Sequence, residues 1–175
     1  MALTRLSNQS LTSISSLPAA IATGKVLQVV STTTTAVSSI TSNSDSTTNV
    51  TNLNVTITPS STSNKIFLIA SVFYGLDEDT YGSLCSVAFA RGSTAIGQGS
   101  ESAASGTVIG IGYTGTNNHS TVPIQFLDSP STTSATTYHV VCRNHVGGNK
   151  TFYVNGRKNG TQRGASTITA YEIAG

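Results

Sequence analysis

The sequence predicts an all-β fold, a sandwich or barrel of about nine or ten short strands. Three observations predict it. Val, Ile and Thr abound in a chain with only 9% charged residues and a formal net charge of +2, and β-branched residues suit pleated strands with a polar outer face. From Lys25 onward, apolar and polar residues alternate with a period of two, which puts one face of each segment against a core. Turn-rich breaks recur at roughly ten-residue intervals. The 175 residues suffice for one domain with a real core.

Residues 1–24 stand apart. Leu3, Leu6, Leu11, Ile14, Leu17 and Ile21 recur at helix-like spacings, but Ser and Thr dilute the pattern and Pro18 closes it. The segment reads as an extended or part-helical arm that gains order from a partner, or as a frayed terminus, and residues 25–175 read as the head. Val26 to Val30 is the first strand candidate. Val50 to Thr58 alternates, with Leu53, Val55 and Ile57 on one face. Pro59 to Asn64 is a turn-rich break, and Lys65 to Phe73 follows as an apolar strand. The short connection predicts a hairpin of these two. Leu84 to Arg91 places Cys85, Val87 and Phe89 on one face, and a short strand is expected around Thr94 to Ile96. Thr107 to Tyr113 and Thr121 to Asp128 come next; Pro123 marks the latter as an edge or bulged strand. Thr136 to Arg143, Thr151 to Asn155 and Ala165 to Ile173 complete the set. In the last, Ile168, Ala170 and Glu172 alternate against Thr167, Thr169 and Tyr171.

Composition excludes several function classes. The nine basic residues are scattered, and the closest group, Arg157, Lys158 and Arg163, is broken by Asn159 and Gly160, so no nucleic-acid partner is expected. No apolar run approaches the ~18 residues of a helical membrane span, and Ser7 to Ser10 interrupt any signal-peptide core. Sequons such as Asn49, Asn54 and Asn149 arise by chance in so Ser- and Thr-rich a chain. Cys85 and Cys142 lie in apolar runs and read as buried free thiols.

Chemical constellations are weak. Gly110-Ile-Gly-Tyr-Thr-Gly115 matches a dinucleotide fingerprint by letter, but no helical pattern follows it. His139, Cys142 and His145 are three apart, which on a strand points neighbours to opposite faces; no metal site is expected. Asp77-Glu78-Asp79 reads as a solvated acidic loop without the spaced EF-hand pattern. No G-x-S-x-G signature or carboxylate pair suggests a hydrolase. The expectation is a protein that is not an enzyme and needs no cofactor. Two loops combine aromatic rings with short polar groups: Tyr74, Asp77, Asp79 and Tyr81 in one, Tyr113, Asn117 and His119 in the other. Ring faces with directional hydrogen bonds are what sugar binding uses; inert loops contain the same mixture.

An ordered set of motifs carries a resemblance. Gly24-Lys-Val-Leu-Gln-Val-Val30, Val55-Thr-Ile-Thr-Pro-Ser-Ser-Thr-Ser-Asn-Lys-Ile66 and Arg91-Gly-Ser-Thr-Ala-Ile-Gly97 belong to it. So do Phe126-Leu-Asp-Ser-Pro-Ser-Thr-Thr-Ser-Ala-Thr-Thr-Tyr138 and Arg163-Gly-Ala-Ser-Thr-Ile-Thr-Ala-Tyr-Glu-Ile173. Over residues 24–173 the chain resembles head domains of tailed-phage virion proteins of the marine and cyanophage type. The resemblance implies a jelly-roll β-sandwich forming a homotrimer, similar in shape to tumour-necrosis-factor or C1q heads. It implies that the last strand lies near the three-fold axis, with Ile168, Ala170, Tyr171 and Ile173 in the subunit contact. It further implies attachment of residues 1–24 to phage capsid or tail proteins. That segment is short for a fibre shaft, so a short knob-like appendage for host-surface binding stands beside a capsid decoration protein. A free carbohydrate-binding, lectin-like domain is the reading without a virion.

Overall fold

The computed structural model describes residues 25–42, 47–76, 84–97, 111–113, 119–144, 150–157 and 162–175. The arm residues Leu3, Leu6, Leu11, Ile14, Leu17 and Ile21 lie outside them. The described residues hold no helix and eleven strands. These are β1 Val26–Thr34, β2 Ser38–Ser42, β3 Thr48–Ile57, β4 Lys65–Leu76, β5 Leu84–Arg91, β6 Thr94–Ile96, β7 Ile111–Tyr113, β8 His119–Asp128, β9 Thr136–Asn144, β10 Lys150–Val154 and β11 Ser166–Ile173.

All pairings are antiparallel, and the strands form two sheets. One runs β1-β11-β4-β8; the other runs β3-β9-β5, with β6 and β7 along the far edge of β5. Four strands facing four in this order is a jelly roll, two Greek keys folded into a sandwich. The β2 and β10 strands extend the first sheet: β10 pairs with the end of β4 beyond β11, and β2 pairs with β10. Thus β1 and β2 are one line broken at residues 35–37, and β10 and β11 are a second line broken at residues 155–165.

The alternation predicted from sequence sets the packing. Leu53, Val55 and Ile57 meet Ile66, Leu68, Ala70 and Val72 across the interior, joined by Phe89, Tyr138, Val140, Phe152 and Ile168. Full burial of each large apolar side chain stabilises the fold by about 1.5–3 kcal/mol, so this interior dominates its stability. The outward face of β5 and β9 is buried too, where Ala88, Ala90 and Val141 make a second small cluster.

One sequence expectation is corrected, and one strand is added. The β3 and β4 strands are no hairpin: β3 pairs with β9 and β4 with β11 and β8, in opposite sheets. Both strands point their apolar phase at the same interior, so residues 58–64 must arch from one sheet to the other. The Ser38–Ser42 strand, SSITS, carries little apolar alternation, because it buries one large side chain, Ile40. By contrast, β8 is an edge strand among the described residues, pairing with β4 alone, and Pro123 sits there without costing a ladder bond.

The Cys142 thiol is fully buried and free; the Cys85 side chain lies outside the described residues. Burial pushes the Cys142 thiol up to about 12. Since the thiolate is the nucleophile, its labelling should be slowed on the order of a thousandfold against a free cysteine. A Cys85→Ser chain, which keeps only Cys142, is therefore expected to stay silent to a thiol reagent until urea unfolds it.

Candidate functional site

Three places in the sandwich carry more than packing: the end that bears the two aromatic loops, the buried polar groups at the strand breaks, and the outer face of the β1-β11-β4-β8 sheet.

The loop end is assembled by register. Gly75 pairs with His119, and Leu84 pairs with Tyr113, so the strand ends that flank residues 77–83 and 114–118 are neighbours. Asp77, Asp79, Tyr81 and Asn117 lie outside the described residues, and Tyr113 is described as backbone only. His119 is exposed, with its ring tilted against Phe73 at 5.2 Å. Tyr74 is corrected as a surface residue. It falls on the inward phase of β4, is buried, and stacks on Phe152 at 5.3 Å. Its strand runs three residues further than the apolar run predicts, which draws Tyr74 from the loop into the core.

Buried polar side chains mark where strands stop. Asn155, fully buried with φ at +59°, joins both broken lines. Its Nδ2 donates to Thr34 O at 2.8 Å and Ala36 O at 3.1 Å, and its Oδ1 accepts from Ser166 Oγ at 2.7 Å. Its amide donates to Phe73 O, while Phe73 N donates to Ser166 Oγ. Beside it, a Cβ on Gly164 would fall 2.3 Å from the Phe73 ring, so only glycine fits.

At the opposite end, Glu172 pins the β3–β4 arch. Its Oε1 accepts from Ser60 N at 2.6 Å, Ser60 Oγ at 2.7 Å and Asn64 Nδ2 at 2.6 Å. Asn64 Oδ1 in turn accepts from Gly175 N. Burial alone would raise the Glu172 carboxyl; the bonds from Asn64 and Ser60 together outweigh it and hold the carboxyl below its ordinary value. A depressed carboxylate contributes stability above its unfolded value, about 4.3, and loses it as pH falls through the folded value. Glu172→Gln should therefore flatten the pH dependence of stability below about pH 4, read by urea unfolding across the acid range. An acid limb equal to that of the parent would refute the assignment.

The outer sheet face is where the exposed apolar groups collect. Register places Val29, Tyr171, Phe67 and Leu127 in one row across four strands. The next row is Ser31, Thr169, Ile69 and Gln125. Ile173 and Val26 lie on the other side of the first row, and Leu27 stands in a bulge at that corner. Among the described residues the exposed large hydrophobics are Val26, Leu27, Val29, Ile69 and Leu127, and all lie on this face or at its corner. Phe67 and Tyr171 touch at 6.3 Å and are partly exposed. Further along, hydroxyl pairs Ser31–Thr169 at 2.9 Å and Thr33–Thr167 at 3.1 Å continue the surface.

This geometry divides the contact residues expected from the resemblance. Tyr171 and Ile173 stand on the outer face. Ile168 and Ala170 are corrected: both are wholly buried in the subunit's own core, because they share the inward phase of a strand flanked by β1 and β4. The sequence signal for the face was the unbroken run Ile66-Phe67-Leu68-Ile69, where alternation fails and both phases are apolar.

No protein-family model and no curated protein matches the chain. Solved structures do. A chain in the structure of infectious bursal disease virus strain Gt aligns at 11% identity and a TM-score of 0.46, over 91% of this chain and 42% of that one. A chain of T=1 particles derived from the infectious bursal virus aligns at 12% identity and a TM-score of 0.41, over 85% and 36%. A chain of strain Gx gives 11%, 0.40, 91% and 42%. This chain thus spans less than half the length of those it matches, and likeness at this level carries no functional argument.

Proposed function

We propose that the chain is a non-enzymatic virion structural protein, working as a subunit of a symmetric homo-oligomer. The observation that carries the reading is the collection of exposed apolar side chains on one outer face of a jelly roll. Soluble monomers seldom leave such a face bare, and contiguous apolar patches mark contact surfaces. Jelly rolls build capsid and lectin domains, and the phage-head resemblance favours the former. A homotrimer is the expected assembly, with Tyr171 and Ile173 available to its contacts. Within the particle the role is a short fibre or knob, or a decoration protein that reinforces the shell. Mass spectrometry and immunogold labelling of purified particles test this. The protein should co-purify at a fixed copy number on the particle surface; absence from washed particles would refute it.

A host-surface glycan is the second reading. It is favoured by the register that brings the ends of the two aromatic loops together beside His119. It predicts weak single-site affinity raised by multiple copies, and binding on a glycan array that His119→Ala weakens.

A further inference from the structure

The outer face of the β1-β11-β4-β8 sheet has a candidate occupant within the sequence. Residues 1–24 carry six spaced large aliphatics, Leu3, Leu6, Leu11, Ile14, Leu17 and Ile21, and Arg5 is their only charge. The segment joins the sandwich at Lys25, beside Val26 and Leu27, which are 52% and 42% exposed at the corner of the face. Fully extended it reaches about 80 Å, while four strands measure roughly 19 Å across. A fraction of its length covers the apolar rows. The chemistry matches as well: the face offers aliphatic and aromatic rows and hydroxyls, with Lys65 at its margin as the one charged group among the described residues.

We propose that residues 1–24 of each copy lie across this face of a neighbouring copy. The direction of the chain at Lys25 favours the neighbour over the segment's own subunit. Ala174 N donates to Lys25 O at 3.0 Å, which continues the β1–β11 ladder one residue beyond Val26. The backbone therefore leaves along the strand axis, off the end of the sheet. To cover its own face it would have to reverse and climb within the residues around Gly24. A neighbour placed beyond that end receives the segment without reversal. Exchange of such segments closes a ring when the subunits are related by rotation. The inference rests on the homo-oligomeric reading above and names the contact it uses.

The test uses the full chain with a photo-crosslinking amino acid at Leu127, which is 47% exposed. Equal parts of this chain and an isotope-labelled parent are mixed, unfolded, refolded together and irradiated. Linked peptides should join Leu127 of one copy to residues 1–24 of the other isotope. Links confined to one isotope would overturn the exchange, and links only to residues 25–175 would show that two sandwiches meet directly. An absence of links would leave the face bare and overturn it too. As a second measurement, Val29→Lys with Leu127→Lys should weaken association at least tenfold in sedimentation while the far-ultraviolet spectrum stays that of the parent. Unchanged association would refute the proposal. Neither assay involves a particle, so a failure here is distinguishable from a chain that is missing from virions.

Discussion

Replacing Asn155 with alanine is expected to cost about 3–5 kcal/mol, the largest loss among single polar substitutions in this chain. The side chain serves three partners: the Ser166 hydroxyl, which is buried, and the carbonyl oxygens of Thr34 and Ala36, which are part-buried. Truncation leaves all three without it: the orphaned buried hydroxyl costs about 1–3 kcal/mol, and each lost bond to a part-buried carbonyl about 0.5–1.5 kcal/mol. The backbone adds to this, because φ at +59° is tolerated by Asn and resisted by Ala. Asn155→Gly separates the two terms: it relieves φ but makes none of the bonds, so it should recover about 1 kcal/mol and no more. Asn155→Asp keeps shape and φ, yet an ionised carboxylate only accepts, and it would face two carbonyl oxygens. It should be as damaging as alanine at neutral pH. Urea unfolding of the four proteins measures the set. A loss under about 1 kcal/mol for alanine would mean that water or a shifted backbone replaces the bonds.

The reason for so large an effect is topological. Asn155 stands where the β1–β2 line and the β10–β11 line break side by side. Without it the β2–β10 extension is held to the sandwich by Phe152, Val154 and Ile40 and by three register pairs with β4. Hydrogen exchange should show that extension opening ahead of the β11–β4 centre in the alanine variant.

How far this was legible in sequence follows from what period-two alternation can report. It located the strands with strong inward faces, such as β3, β4, β9 and β11, because burial there is continuous. It placed Glu172 on an inward phase, which in retrospect was the mark of the buried carboxylate. It could not see sheet membership. Leu53-Asn-Val-Thr-Ile57 and Ile66-Phe-Leu-Ile-Ala70 would look the same paired to each other or facing across a core, and turn length alone chose wrongly. Nor could it show that β10 and β11 are one line, because the break at 155–165 reads as an ordinary loop. The Asn155-Gly156 dipeptide signals a turn, but two of its three side-chain partners lie about 120 residues away in sequence. The outer face was half visible: Phe67 and Ile69 break the alternation, whereas Val29 and Leu127 acquire meaning only once register puts them in one row.

Asp128→Ala should be the second large loss, about 3 kcal/mol, and its parts can be told apart. Asp128 comes from the edge strand of one sheet and holds two residues of the other. Tyr138 Oη donates to its Oδ2 at 2.6 Å, and Arg91 Nη1 donates to Oδ2 at 3.0 Å and Oδ1 at 3.1 Å. The ion pair looks the more important of the two, but magnitudes decide otherwise. The Arg91 side chain is 37% exposed, so solvent screens the pair and its worth is about 0–1 kcal/mol. Tyr138 is wholly buried, and burial with the Asp128 bond pushes its hydroxyl far above the ordinary tyrosine value, so it stays a donor at any working pH. Losing its acceptor leaves that donor stranded in the core. Tyr138→Phe alone should therefore cost about 1–2 kcal/mol, and Asp128→Ala with Tyr138→Phe should cost less than the two losses summed, by about 1–2 kcal/mol. Arg91→Ala should cost under about 1 kcal/mol. An additive double variant would place the strength of the clasp in Arg91 after all. Asp128 also adjoins Leu127, so the clasp fixes the edge of the exposed apolar row. If that row is a contact between copies, Asp128→Ala should weaken association in sedimentation even where the subunit remains folded, while Arg91→Ala leaves it unchanged.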